Sequence, residues 1–111
     1  MSIEEKKLLM DIDEAISSID EHLQGRRIFQ EYKESKTKRR AVERELEIIG
    51  EAVNKLLKIT PDINISYSRM IVDLRNKVIH SYENVNDMVI WNIIMNHIPL
   101  LKQEVNSLLN E

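Results

Sequence analysis

Apolar residues recur along this chain at steps of three and four, and four long stretches keep that rhythm. From Glu4 to Gln24 the positions Leu8, Leu9, Ile12, Ala15, Ile16, Ile19 and Leu23 fall on one stripe, which predicts a long amphipathic helix with Gly25 as its C′ stop. From about Thr37 to Ile59, Val42, Leu46, Ile49, Val53 and Leu56 step by 4, 3, 4 and 3, a coiled-coil-like seam. Gly50 sits in the middle of that seam. An interior glycine costs a helix about 1 kcal/mol against alanine, so Gly50 marks a close helix crossing. Pro61 ends the second helix by disfavouring helical geometry at Thr60 and removing a donor.

A third helix is expected to start near Ser66 or Ser68, either of which can cap it, and to turn Ile71, Leu74 and Val78 inward. After a polar turn at Glu83 to Asn86, a last helix from about Asp87 places Met88, Trp91, Ile94, Met95, Ile98, Leu101, Val105 and Leu108 on one face, kinked by Pro99. The stretch from Arg27 to Ser35, with Ile28, Phe29 and Tyr32, reads as a short helix or ordered connection. The expected fold is all-α: an antiparallel four-helix bundle with one short extra helix, in one domain over residues 1–111.

Composition narrows the chemistry. Two Gly and two Pro in 111 residues suit long helices with few turns, and a chain of this length buries roughly two-thirds of its unfolded surface without staples. Cysteine is absent, which removes disulfides, zinc ribbons and thiol nucleophiles. His22, His80 and His97 are scattered, so neither a metal nor a cofactor is expected, and His22 and His97 read as surface or boundary residues. No stretch approaches the ~18 uninterrupted apolar residues of a membrane helix, and the N-terminus lacks a signal-peptide core, so a cytoplasmic protein is expected.

The net charge of −3 argues against general nucleic-acid binding, but the distribution is uneven. Arg26, Arg27, Lys33, Lys36, Lys38, Arg39 and Arg40 face only Glu31 and Glu34, a local excess of positive charge. A run of this kind is a solvated face or a contact for a polyanion. Arg26, Arg27, Lys36, Lys38, Arg39 and Arg40 are the candidates for contact with RNA or with an acidic protein. Trp91 with Met88 and Met95 at helical spacing reads as core rather than as a base-stacking platform.

The segment RNKVIHSY carries the densest chemistry. Arg75 offers a planar fork of donors that matches phosphate oxygens, His80 titrates close to neutral pH, and the Tyr82 phenol can orient a group or accept one. On an unbroken helix Arg75 and His80 stand roughly 140° apart while Arg75 and Tyr82 nearly eclipse. A helix that frays near His80 would bring the imidazole and phenol towards the guanidinium. The plain alternative is a histidine complementing a helix C-terminus, a surface arginine and a packing tyrosine.

This segment resembles the R-x4-H-x-Y signature of the HEPN superfamily, and in particular the HepT-like toxins of bacterial and archaeal toxin–antitoxin pairs; Asn76 matches the polar residue that follows the arginine. RAVERELEIIGEAVNKL, from Arg40 to Leu56, resembles the family's second signature helix, and VIWNIIMNHIPLLKQEV, from Val89 to Val105, its closing helix. The resemblance implies a HEPN-like bundle that works as a homodimer: a metal-independent endoribonuclease, the toxin of a type II or type VII-like pair, with RNA as substrate. Arg75 and His80 are then catalytic and Asn76 and Tyr82 position the phosphate. It also implies a minimal nucleotidyltransferase as antitoxin, which adds AMP to Tyr82. The competing readings are a non-catalytic HEPN module that binds or presents substrate to a partner nucleotidyltransferase, and a purely structural dimerisation bundle.

Overall fold

A computed structural model of the chain describes the backbone of residues 1–80 and 86–111 and the side chains of residues 1–77 and 86–111. Among the described residues six helices follow in order: α1 (Ile3–Leu23), α2 (Phe29–Glu34), α3 (Lys36–Ile59), α4 (Ser68–His80), α5 (Asp87–Asn96) and α6 (Ile98–Leu109). The architecture is the expected all-α bundle. α1, α3 and α4 are three of the long arms, α5 with α6 makes the fourth, and α2 is the short extra helix.

α1 forms because its whole apolar stripe finds a partner. Leu8, Leu9, Ile12, Ala15, Ile16, Ile19 and Leu23 are all buried. Its start is held by a capping box, in which Ser2 Oγ accepts from the Glu5 amide and Glu5 accepts from the Ser2 amide. At its end the left-handed turn comes one residue before the expected glycine, at Gln24 with φ 57°, followed by Gly25 at φ 68°. The Gly25 and Gln24 amides then return to the carbonyls of Asp20 and Glu21, closing the last turn.

α3 lies antiparallel to α1. At one end the Thr60 hydroxyl donates to Glu5, and at the other His22 Nε2 lies 2.8 Å from Glu45 Oε2. The seam residues Val42, Leu46, Ile49, Val53 and Leu56 are buried, as their spacing required. Ser35 caps α3 by accepting from the Lys38 amide.

The start of α4 differs from expectation. Among the described residues neither serine caps it: the Ser66 amide and hydroxyl both bond Glu104 of α6, while Tyr67 takes a left-handed φ of 59° and packs edge-on against His97, with ring centroids 4.7 Å apart. The helix is therefore pinned by tertiary contacts at the point where a local cap was expected. Ile71 and Leu74 of α4 are buried as expected, with Val72 beside them; the Val78 side chain, also expected inward, lies outside the described residues. The polar turn expected at Glu83 to Asn86 lies outside the described residues, apart from Asn86, which caps α5 by accepting from the Met88 amide.

The last arm is broken rather than kinked. His97 closes α5 and opens α6, and Pro99 stands in the first turn of α6. Pro99 has no N–H for the Met95 carbonyl, so the ladder is interrupted there and the helix stops at Asn96 and restarts at Ile98. The break shifts the inward face. Met88 is 60% exposed, and Ile90, Ile93 and Ile94 are the buried residues of α5. Trp91 packs on the core with its ring centroid 5.9 Å from Phe29 and 5.4 Å from Tyr32. Among the described residues the core contains no buried charged side chain, and no helix is long and apolar enough to cross a membrane.

Candidate active site

α4 carries the RNKVIHSY segment as far as His80 and runs helically to that residue, so no fraying separates Arg75 from His80. The two positions therefore stand roughly 140° apart around one axis. The His80 side chain and the whole of Tyr82 lie outside the described residues. What the structure does describe is the arginine and its surroundings.

Arg75 faces α3. Its stem passes directly over Gly50: a Cβ added to that glycine would meet Arg75 Cβ at 2.2 Å and Cγ at 2.8 Å. The side chain is half-buried, with Nε enclosed and without a hydrogen-bond partner among the described residues. Nη1 donates to Asn76 Oδ1 at 2.9 Å. Asn76 is exposed, so this bond turns the guanidinium towards the outer surface of the helix. Among the described residues no carboxylate forms an ion pair with Arg75, so the described acids leave its charge uncompensated.

The basic run is divided by the fold. Arg26 binds both oxygens of Glu31 through Nε and Nη2, each at 2.7 Å, which raises the affinity of Arg26 for its proton and lowers that of Glu31. Arg27 pairs with Asp20 at 2.9 Å and lines, with Lys102, an open cleft of about 370 Å³ between α1 and the α5–α6 break. Arg39 donates to the Lys33 carbonyl. Lys36 and Arg40 are exposed on the first turns of α3, and Lys38 is half-buried there. Glu43 of α3 lies beside Asp87 at the start of α5, and α4 ends at His80, seven residues before Asp87, so these first turns of α3 and the end of α4 lie towards one end of the bundle.

That end also holds acids the sequence did not single out. Glu43 lies three residues before Leu46, on the flank of the seam, and burial pushes its carboxyl above the ordinary value; nearby Arg40 opposes this and Asp87 adds to it. Tyr32 lies beneath with its hydroxyl fully buried and no partner among the described residues, and burial, then Glu43 and Asp87, push its ionisation well up. The signal for Glu43 was present as helical spacing, but its neighbour Asp87 is set only by where α5 lands. Among the described residues no three His, Asp or Glu side chains converge as metal ligands.

Comparison with known proteins supplies the context for this geometry. The model of the family described as Ribonuclease HepT-like matches residues 12–108. A Caldanaerobacter subterraneus protein named "Putative RNase TTE0752" is 36% identical over 87 residues, covering 75% of each chain. The "Probable ribonuclease HepT" of Thermococcus cleftensis is 37% identical over 108 residues, covering 93% of this chain and 94% of its own. The "Putative RNase MJ1380" of Methanocaldococcus jannaschii is 35% identical over 104 residues, covering 90% of this chain and 92% of its own. No solved structure matches.

Proposed function

Because the chain belongs to the Ribonuclease HepT-like family, we propose that it is a metal-independent endoribonuclease whose active site is built from Arg75 and His80 of two copies of the chain. The substrate is RNA. The 2′-hydroxyl attacks the adjacent phosphorus, its proton passes to one His80 imidazole, and the 2′-O–P bond forms as the P–O5′ bond breaks. The departing 5′ oxygen takes a proton from the second His80, leaving a cyclic phosphate and a 5′-hydroxyl. One imidazole must start neutral and the other charged, which suits a side chain whose ordinary pKa lies near 6.5. The Arg75 guanidiniums stabilise the charge that develops on the phosphorane, while Asn76 and Tyr82 position phosphate.

The observation that supports this reading best is Arg75 itself: a guanidinium held at its root, turned outward by Asn76 and paired with no described acid. The helical run from Arg75 to His80 sets the two positions far apart around one α4, which favours a second copy as the source of the facing imidazole.

The same reading makes this chain a toxin that acts in the cytoplasm and is silenced by a minimal nucleotidyltransferase. AMP added to Tyr82 would bring anionic phosphate beside Arg75 and occupy the place of the RNA phosphate. Lys36, Lys38 and Arg40 extend positive charge from the same end of the bundle towards the RNA strand or an acidic antitoxin surface, whereas Arg26, Arg27 and Arg39 are already engaged within the fold.

Cleavage of a labelled RNA in the presence of EDTA tests the assignment. Arg75→Ala and His80→Ala should each lower the rate by about a hundredfold or more while the variants stay folded. Undiminished cleavage by either removes that residue from the site, and RNA binding without any cutting by the unaltered chain would identify the non-catalytic module. Incubation with the partner nucleotidyltransferase and ATP should add AMP to Tyr82 by mass spectrometry; an unchanged peptide mass would rule this control out.

A further inference from the structure

α3 and α4 cross at Gly50, and the space left by its missing side chain is filled by Arg75. A methyl group on Gly50 would lie 2.2 Å from Arg75 Cβ, 2.8 Å from Arg75 Cγ and 3.2 Å from the Ile71 carbonyl oxygen. The first two separations are far below the ~3.5–4.0 Å at which carbon atoms attract, whereas a small displacement relieves the third. Gly50 is buried within α3 and is not among the residues with positive φ, so its own backbone places no demand on residue type. What requires glycine here is the stem of the arginine.

We propose that Gly50 is a positioning residue for the catalytic guanidinium: it admits the Arg75 stem against the α3 backbone and so fixes the direction in which the charged head leaves the crossing. The inference rests on the reading of Arg75 as the group that meets the scissile phosphate, and extends it to a residue that touches no substrate. A stem packed against a helix backbone cannot be moved by a rotamer change in its neighbour. The Cβ–Cγ direction is thus set before RNA arrives, and only the outer torsions remain to be ordered on binding. Nε is itself enclosed and Nη1 is drawn to Asn76, so the head is presented through a short arc of surface. Among the described residues packing, not an ion pair, performs this task, and the guanidinium keeps its charge for a ligand.

The test uses the full chain with Gly50→Ala and Gly50→Ser. If the glycine aims Arg75, both variants should lower kcat by about tenfold to a hundredfold, the loss expected from misplacing a reacting group by about 1 Å, with KM for RNA changed far less. The Arg75 Nε–H resonance should move in the same variants. Ile98→Val, a core change at the α5–α6 break and so outside the two helices that form the crossing, should leave both kcat and that resonance in place, which separates positioning from general loosening. Full cleavage by Arg75→Ala would overturn the catalytic reading and this inference together. Loss of cleavage in Arg75→Ala beside an unaltered kcat in Gly50→Ala would overturn the inference alone. Should Gly50→Ala fail to fold, the double variant Gly50→Ala with Arg75→Gly decides, because it deletes both close atoms: a recovered cooperative melt supports the assignment. A double variant as unfolded as the single one would show that the glycine serves the approach of the Ile71 carbonyl, and would overturn it.

Discussion

Burial acts on the polar groups of both Tyr32 and Glu43, and they answer to it differently. The Tyr32 hydroxyl is enclosed with no described partner, so it carries the desolvation cost of a hydroxyl without the return of a hydrogen bond. Tyr32→Phe keeps the contact with Trp91 and should stabilise the fold by about 1 kcal/mol, a rise of a few degrees in Tm. A lower Tm would mean that the hydroxyl has a partner after all. Glu43 shows the same cost as a titration. Its carboxyl is raised above the ordinary 4.5, first by burial. Ionisation therefore opposes folding, and the penalty is absent below the ordinary value and complete above the raised one. Glu43→Gln should thus be more stable than the parent at pH 7, with the difference vanishing as the pH falls below about 4.5; a pH-independent difference in melts would contradict the sign. That Gly50 marks a crossing was legible from an interior glycine alone. That Arg75 is what crosses it was not, since the two are 25 positions apart and meet only through the register of one helix against another.

At the scale of elements, α1 was the easiest to read. Its stripe is local and uninterrupted, and every residue named in it is buried. α5 was harder, because the break at His97 changes which face turns inward, leaving Met88 outside and bringing in Ile90 and Ile93. The capping box of α1 gives a direct prediction: Ser2→Ala should cost about 1 kcal/mol in denaturant melts. Glu5 is also pulled down to about 2, first by the Thr60 hydroxyl and then by the Ser2 amide and hydroxyl. A lowered carboxyl stabilises the fold above its ordinary value of 4.5, and that contribution disappears as the pH falls from 4.5 towards 2. Glu5→Gln should therefore flatten the acid limb of the stability profile in that window, an effect weakened by salt because the group is partly exposed. An acid limb unchanged by the substitution would place the sensitivity elsewhere.

Across the whole molecule, the fold gathers one end of α3, the end of α4 and the start of α5, and so brings the exposed Lys36 and Arg40 to the end of the bundle where α4 finishes. If two copies complete the site, cleavage per chain should fall on dilution below the dimer dissociation constant measured by sedimentation. A monomeric sample with the same turnover per chain would dispense with the second copy. Helix content, the inward stripes of α1 and α3, and the Arg75–His80 motif were determined by the sequence alone, because a period of 3.6 and a short motif are properties of neighbouring residues. The meeting of Gly50 with Arg75, the anchoring of α4 by Glu104 and His97, and the division of the basic run into charges bonded within the fold and charges with no ion pair among the described residues were decided by the tertiary structure. Each depends on which surfaces of distant helices come into register, and no local pattern encodes that alignment.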